Sequence, residues 1–336
     1  MKVILSFVIC LLSFSTAGAQ QLTLVELNCE NLFDTQDDSL KQDQEYLPEG
    51  TRHWTGRRYW RKLNNLAQEL LSCCDDGIPD IIALCEVEND SVVRDLARRS
   101  LLRNAGYEYV VTSSPDIRGI DVALLYSPMS FAPIVNRSIR VKPLDGMRPT
   151  RDILYVAGLV NSAVDSASVA EGWGSPFDTL HVFVVHAPSR YGGERRSRPF
   201  RLQVAETLCG AIDSVRALSP QAAIVVVGDF NDYADSPSLR RLGRQQLINA
   251  SAKARGRHGA KGTYRYKGDW ESLDHILVSH SLKDKIENVF INDAAFLTED
   301  ERLYGGRRPR RTYNGMRYSP GYSDHLPLVA RFRFGL

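Results

Sequence analysis

Apolar residues along this chain gather in short runs separated by stretches with helical spacing. Runs rich in Val, Ile and Leu occupy residues 22–27, 78–85, 107–112, 121–126, 153–160, 180–185, 222–227, 273–278 and 326–334. Uninterrupted runs of this length predict buried strands. Between them, Leu63, Leu66, Ala67, Leu70 and Leu71 repeat as one face of a helix. Val92, Val93, Leu96 and Ala97 make a second, shorter stripe. Leu202, Ala205, Leu208, Cys209 and Ile212 make a third, with Ser197 and Pro199 near its start. Strands mixed with a few helices imply α/β layers. Residues 142–151 and 297–322 are polar and broken by Gly and Pro, which predicts long loops bordering a site.

Polar residues recur where the apolar runs stop. The segments are Leu27-Asn28-Cys29-Glu30, Leu84-Cys85-Glu86, Val185-His186-Ala187-Pro188, Gly228-Asp229-Phe230-Asn231, Leu273-Asp274-His275 and Ser323-Asp324-His325. Carboxylates, an amide and imidazoles at strand ends are what a hard-metal, phosphate-cleaving site needs. Any one of them alone reads equally well as a surface residue at a strand end. Glu86 closes an apolar strand, where a charge is costly unless it is exposed or paired with a cation. Asp229 and Asn231 alternate, so their side chains can face the same phosphate. A carboxylate such as Asp274 on one ring nitrogen of His325 would fix the tautomer and favour the imidazolium. Glu88 is assigned a lesser role, His275 strand packing and Asp232 a turn.

Composition adds bounds. Hydrophobic content of 43% supports a full core, and a net charge of +2 is too mild to announce a nucleic-acid binder. Arg-rich clusters at 52–62, 190–201, 255–267 and 307–317 flank the motifs, and together they suggest an anionic substrate. Within the first, Trp54, Tyr59 and Trp60 could stack bases or pack against the core. Lys2, the apolar stretch 3–14 and Ala17-Gly18-Ala19 read as a cleavable secretory signal over 1–19. That leaves 20–336 as one domain, expected to be a periplasmic or secreted monomer with no membrane-spanning segment. Outside the signal, Cys29, Cys73, Cys74, Cys85 and Cys209 do not make a tidy disulfide framework, and no spacing resembles a zinc site. Cys29 and Cys85 are expected to be core thiols.

Assembled, Gly228-Asp229-Phe230-Asn231-Asp232 and Ser323-Asp324-His325-Leu326-Pro327 resemble the signatures of the endonuclease/exonuclease/phosphatase family. Tyr191-Gly192-Gly193-Glu194, Gly262-Thr263-Tyr264-Arg265-Tyr266 and Thr312-Tyr313-Asn314-Gly315 are similar to its secreted Bacteroides-type branch. The resemblance implies a four-layer sandwich: two mainly antiparallel β-sheets face to face, with helices outside. It implies Mg²⁺, or Mn²⁺, held by Asn28, Glu86 and Asp324. It implies Asp229 acting on the attacking water, and Asn231 and the Asp274–His325 pair acting on phosphate oxygens. His186 would assist the leaving oxygen, oriented by Asp121. Arg151, Ser189 and Arg190 are expected phosphate contacts. The expected activity is hydrolysis of phosphodiesters, with nucleic acid as the substrate. A phosphomonoesterase or a phospholipid or inositol-phosphate phosphatase is the alternative within the family. A non-catalytic phosphate-binding module is the alternative outside it, and the presence of every catalytic position stands against that.

Overall fold

The computed structural model describes residues 20–160 and 179–334; the signal expected at 1–19 lies outside them. In chain order the first strands are β1 (Gln20–Leu32), β2 (Ile81–Val87), β3 (Glu108–Val111), β4 (Asp121–Tyr126), β5 (Phe131–Ile139) and β6 (Ile153–Val160). Next come β7 (Thr179–His186), β8 (Ala223–Asp229), β9 (Leu247–Asn249), β10 (Tyr264–Tyr266), β11 (Asp269–Glu271) and β12 (Asp274–Ser279). The last are β13 (Ile286–Ile291), β14 (Thr298–Asp300), β15 (Arg307–Pro309), β16 (Tyr313–Asn314), β17 (Arg317–Tyr318) and β18 (Leu328–Phe334). Among the described residues, four α-helices, Gly56–Leu71, Asp90–Arg99, Glu194–Leu218 and Pro237–Gly243, interrupt them.

Two six-stranded sheets result, ordered β13-β18-β1-β2-β4-β3 and β5-β6-β7-β8-β12-β9. All neighbours are antiparallel except β1/β2 and β7/β8, each pair being parallel. Alternation along each strand sends one set of side chains to each face. Leu22, Leu24, Ala83 and Val122 of the first sheet meet Val156, Val184, Val227 and Ile276 of the second in a central core. On the first sheet's outer face, Val25, Leu27 and Leu84 pack against Leu63, Leu66 and Leu70 of the helix Gly56–Leu71. On the second sheet's outer face, Phe183, Ile224 and Val226 pack against Leu208 and Ile212 of the helix Glu194–Leu218. These are the four expected layers.

Strands β5, β9 and β13 have no counterpart among the expected runs. β5 and β9 close the two edges of the second sheet and β13 an edge of the first, so much of each is only partly covered and the apolar pattern is diluted. Cys29, Cys73, Cys85 and Cys209 are buried and, with Cys74, all five are unbridged thiols. Among the described residues, no helix is long and apolar enough to cross a membrane.

One contact between the sheet's central strands admits only glycine. Gly228 has φ of +141°, and a Cβ there would stand 1.9 Å from the Val185 carbonyl oxygen. This close approach of β8 to β7 delivers Asp229 and His186 side by side, as register partners at the ends of parallel strands.

Candidate active site

The parallel pairs β1/β2 and β7/β8 end at the same rim of the sandwich. β12 starts there, because Asp274 is the register partner of Asp229, and the segment leading into β18 passes there as well. Asn28, Glu86, His186, Asp229, Asp274 and His325 therefore converge from both sheets although they span nearly the whole sequence. The strands break in order to aim them. β1 and β2 shift register beyond Asn28, and Glu30, Asn31, Glu86 and Asn231 all carry positive φ, between +50° and +60°. Non-glycine residues pay a conformational cost there, and such residues cluster at functional sites.

Asp229 is the hub. Its Oδ1 accepts the Asn231 backbone N–H at 2.8 Å, and its Oδ2 accepts the amides of Asn28 and Asn231, both at 3.1 Å. His186 Nε2 stands 3.7 Å from Asp229 Oδ2 and 3.8 Å from Glu86 Oε1. Glu86 Oε2 accepts the Asn31 N–H at 3.0 Å, which steers Oε1 towards His186 and Arg118, the latter 3.8 Å away. His325 Nδ1 meets Asp274 Oδ2 at 2.7 Å, and Thr263 Oγ1 donates to the same oxygen. Asp324 is partly exposed beside His325, with Arg311 3.9 Å from its Oδ2.

Burial and crowding set the charges. Burial, followed by the Asp274 charge, pushes Asp229 up to about 7. Burial pulls His325 down, but Asp274, by charge and hydrogen bond, raises it well above the ordinary imidazole value, so the ring is an imidazolium at neutral pH. His186 goes the other way: burial, then Arg151 and Arg118, hold it well below 6.5, so it is neutral.

Three expected contacts are not made. Asp121, expected to orient His186, instead accepts hydrogen bonds from Thr112 and Ser114, and His186 Nδ1 has no partner. Arg151, expected as a phosphate clamp, is buried, with one Nη bonded to Asp116 at 3.1 Å and the other to the Ala187 carbonyl at 2.6 Å. It braces the residue after His186, whereas the guanidinium of the exposed Arg118 stands 3.8 Å from Glu86 Oε1. Ser189 is exposed, and its hydroxyl accepts the Tyr191 N–H at 3.3 Å. Arg190 does reach the site's rim, donating to the Asn231 carbonyl at 3.0 Å and lying over the Tyr233 ring. Asp232 lies in the bend after β8, as expected, and its side chain also forms a buried ion pair with Arg201 at 2.7 Å, tying the long helix to the Asp229 loop. Trp54 and Tyr59 pack into the core, so neither is free to stack on a base.

A profile of one protein family matches residues 23–333. The chain belongs to the endonuclease/exonuclease/phosphatase family. Comparison with curated proteins finds no match. Among solved structures, a family member from Bacteroides thetaiotaomicron superposes with a TM-score of 0.61 at 15% identity, over 95% of this chain and all (100%) of that one. The human Nocturnin catalytic domain, with a bound sulfate anion, gives 0.54 at 17% identity, over 94% of this chain and 95% of that one. Truncated TDP2 from Caenorhabditis elegans gives 0.55 at 16% identity, over 93% and 98%. Identities this low establish the fold.

The family fold carries an additional acid here that the motifs do not reveal. Glu26 lies two residues before Asn28 on the same strand face and is fully buried. As carboxylates, Glu26 and Asp274 would leave both Glu26 oxygens and Asp274 Oδ1 without a donor. Burial, followed by the neighbouring Asp274 charge, holds Glu26 well above the carboxylate range, so it favours the protonated form. The visible signal is one acidic residue inside the apolar run at 22–27. Lys62 is a second buried charge outside the motifs, donating to Thr312 Oγ1 at 2.7 Å and the Tyr322 carbonyl at 2.5 Å, with Glu30 at 3.6 Å.

The endonuclease/exonuclease/phosphatase family consists of divalent-metal-dependent phosphoesterases, and the residues present fit such an ion. Glu86, Asp229 and Asp274 form a crowd of carboxylates that raises Asp229, a repulsion a cation relieves. Asp229, Asp274 and His325 also place potential ligand atoms within 4.8 Å of one another. However, His325 Nδ1 and Asp274 Oδ2 are already bonded to each other. Oxygen donors suit Mg²⁺ better than an imidazole does. Glu86 Oε1, which accepts no hydrogen bond among the described residues, is an oxygen donor still open to an ion.

Proposed function

We propose that this chain hydrolyses phosphodiester bonds of nucleic acid with the help of a divalent cation, Mg²⁺ or Mn²⁺. The observation that carries the reading is the joining of Asn28, Glu86, His186, Asp229, Asn231, Asp274 and His325 at one rim, in complementary charge states. Glu86 would be the main ligand of the ion. The Asn28 amide oxygen, which already accepts the Glu30 N–H, has a second lone pair to offer, and Asp324 adds a further carboxylate. When bound, such an ion polarises a phosphoryl oxygen and neutralises developing charge.

The chain's own groups divide the remaining work. Asp229, buried beside the proposed ion and held by the Asn28 and Asn231 amides, is suited to take the proton of an attacking water. The His325 imidazolium, held by Asp274, supplies a donor where charge grows on the phosphoryl oxygens, while the Asn231 amide, whose two N–H groups go to Asp229 Oδ2 and the Ala187 carbonyl, positions Asp229. Neutral His186 can donate its N–H to the departing oxygen. Arg118 and Arg190 put positive charge at the rim. The Nocturnin catalytic domain, similar in fold, binds sulfate, a tetrahedral oxyanion like phosphate.

The test is product analysis on a panel. Purified protein with Mg²⁺ should release nucleotides from DNA or RNA oligonucleotides faster than it releases inorganic phosphate from small monoesters. Phosphate release alone, with every oligonucleotide intact at pH 6–9, would assign the site to monoesters instead.

A further inference from the structure

The start of the helix Gly56–Leu71 and the turn after the hairpin β16–β17 enclose a pocket of about 330 Å³, lined by Thr55, Arg57, Arg58, Arg61, Tyr318 and Pro320. None of these residues belongs to the catalytic cluster. Three guanidiniums share this space, and among the described residues none of them forms an ion pair with a carboxylate. Arg58 donates to the Arg52 carbonyl at 2.5 Å and lies 4.3 Å over the Tyr318 ring. All three arginines act electrostatically on the Tyr318 hydroxyl, so their charges converge on one spot. Three uncompensated cations repel one another, and an arrangement that holds them together suits an anion. Guanidinium forks match phosphate oxygens.

The pocket is coupled to the catalytic rim. One helical turn, about 5.4 Å of rise, separates Arg58 from Lys62. Lys62 turns inward to Glu30 and Thr312, while the Glu30 carboxylate accepts the N–H groups of Thr312 and Tyr313. Tyr313 opens the hairpin that ends in Tyr318. Arg52, paired with Glu45 at 2.8 Å, lies 4.9 Å over Tyr313 and 5.1 Å over Tyr46, both buried, and so anchors the hairpin to the segment that precedes the helix.

We propose that this pocket is a second phosphate subsite, holding a backbone phosphate of a nucleic-acid strand remote from the bond being cut. The assignment rests on the phosphodiesterase reading and specifies its substrate as a polyanion. A small ester, with one phosphate in the catalytic cluster, has nothing to place here.

The test compares wild type with the R57A/R61A double variant, two exposed positions on the helix surface. Initial rates are measured with single-stranded DNA and RNA 20-mers and with bis(p-nitrophenyl) phosphate over a range of salt. The ratio of the 20-mer KM to the small-diester KM should rise about tenfold in the variant, for at least one of the two strands. The dependence of log KM on log salt should become shallower by about 0.7 for each phosphate no longer neutralised on a single strand. An unchanged ratio and slope for both strands would overturn the subsite while leaving the nuclease reading intact. Wild-type cleavage of the small diester with neither 20-mer cut would remove the nuclease reading, and the subsite with it.

Discussion

His325 and Asp274 reach each other from opposite sheets: the imidazole enters on the segment leading to β18, the carboxylate opens β12, and they meet at 2.7 Å. The bond ties the two halves of the sandwich together at the point where the proposed chemistry occurs. It also keeps the imidazole charged despite complete burial.

Because the pair acts as a unit, Asp274→Asn and His325→Ala should each lower kcat/KM by roughly 10²–10⁴-fold. The double variant should be little worse than the poorer single one. A double-mutant cycle on a phosphodiester substrate checks this, and multiplicative losses would show that the two residues work independently.

Glu86 and Glu88 provide an internal control. Glu86 Oε1 faces His186 and Arg118, whereas Glu88 accepts the Asp34 N–H at 2.6 Å, and burial raises its pKa to about 8. Glu86→Gln should lower turnover by roughly 10²-fold and weaken the apparent affinity for Mg²⁺. Glu88→Gln, which keeps an acceptor for Asp34, should remain within a few-fold of wild type. The reverse ranking in a Mg²⁺ titration of activity would mean that the anchoring acid has been misassigned.

Much of this site was legible because the sandwich uses its apolar strands as pointers. Three runs end at the rim, so the first polar residue after each arrives there: Glu86 after 81–85, His186 after 180–185 and Asp229 after 223–228. The two-residue period also put Asp229 and Asn231 on one side correctly. What was not legible is charge inside the core. Lys62 and Glu69 flank the apolar stripe of the helix Gly56–Leu71, where charged residues ordinarily face solvent, yet both are buried. Arg151 was misread for a related reason. A guanidinium near a phosphate site invites a clamp role, and only the fold shows that Asp116 and the Ala187 carbonyl already occupy both Nη atoms. The Arg52–Lys62 segment divided in a way that sequence could not show, with Trp54 and Tyr59 turning inward and Arg57 and Arg61 outward.

Glu69 predicts a pH dependence of stability. Its carboxyl is fully buried with no hydrogen-bond partner, and burial, only partly offset by Lys62, raises its pKa to about 8 from 4.5. The folded state therefore binds a proton that the unfolded chain has released between these values. Its contribution to stability is fully present below pH 4.5 and is lost as pH rises through about 8. The loss is on the order of a few kcal/mol. Glu69→Gln, neutral at every pH, should melt higher than wild type at pH 8.5, with the difference shrinking towards pH 5. A difference independent of pH across that interval would show that Glu69 does not titrate in the folded protein.

The central claim is that a divalent cation and the joined cluster around Asp229 cleave a phosphodiester. Its most direct test is a single chelation series: cleavage of a fluorescent oligonucleotide by purified protein in Mg²⁺, then in excess EDTA, then after Mg²⁺ or Mn²⁺ is restored. The account predicts cleavage, loss of cleavage and recovery, with Glu86→Gln inactive at the metal concentration that saturates wild type. Cleavage that continues undiminished after exhaustive chelation would contradict it.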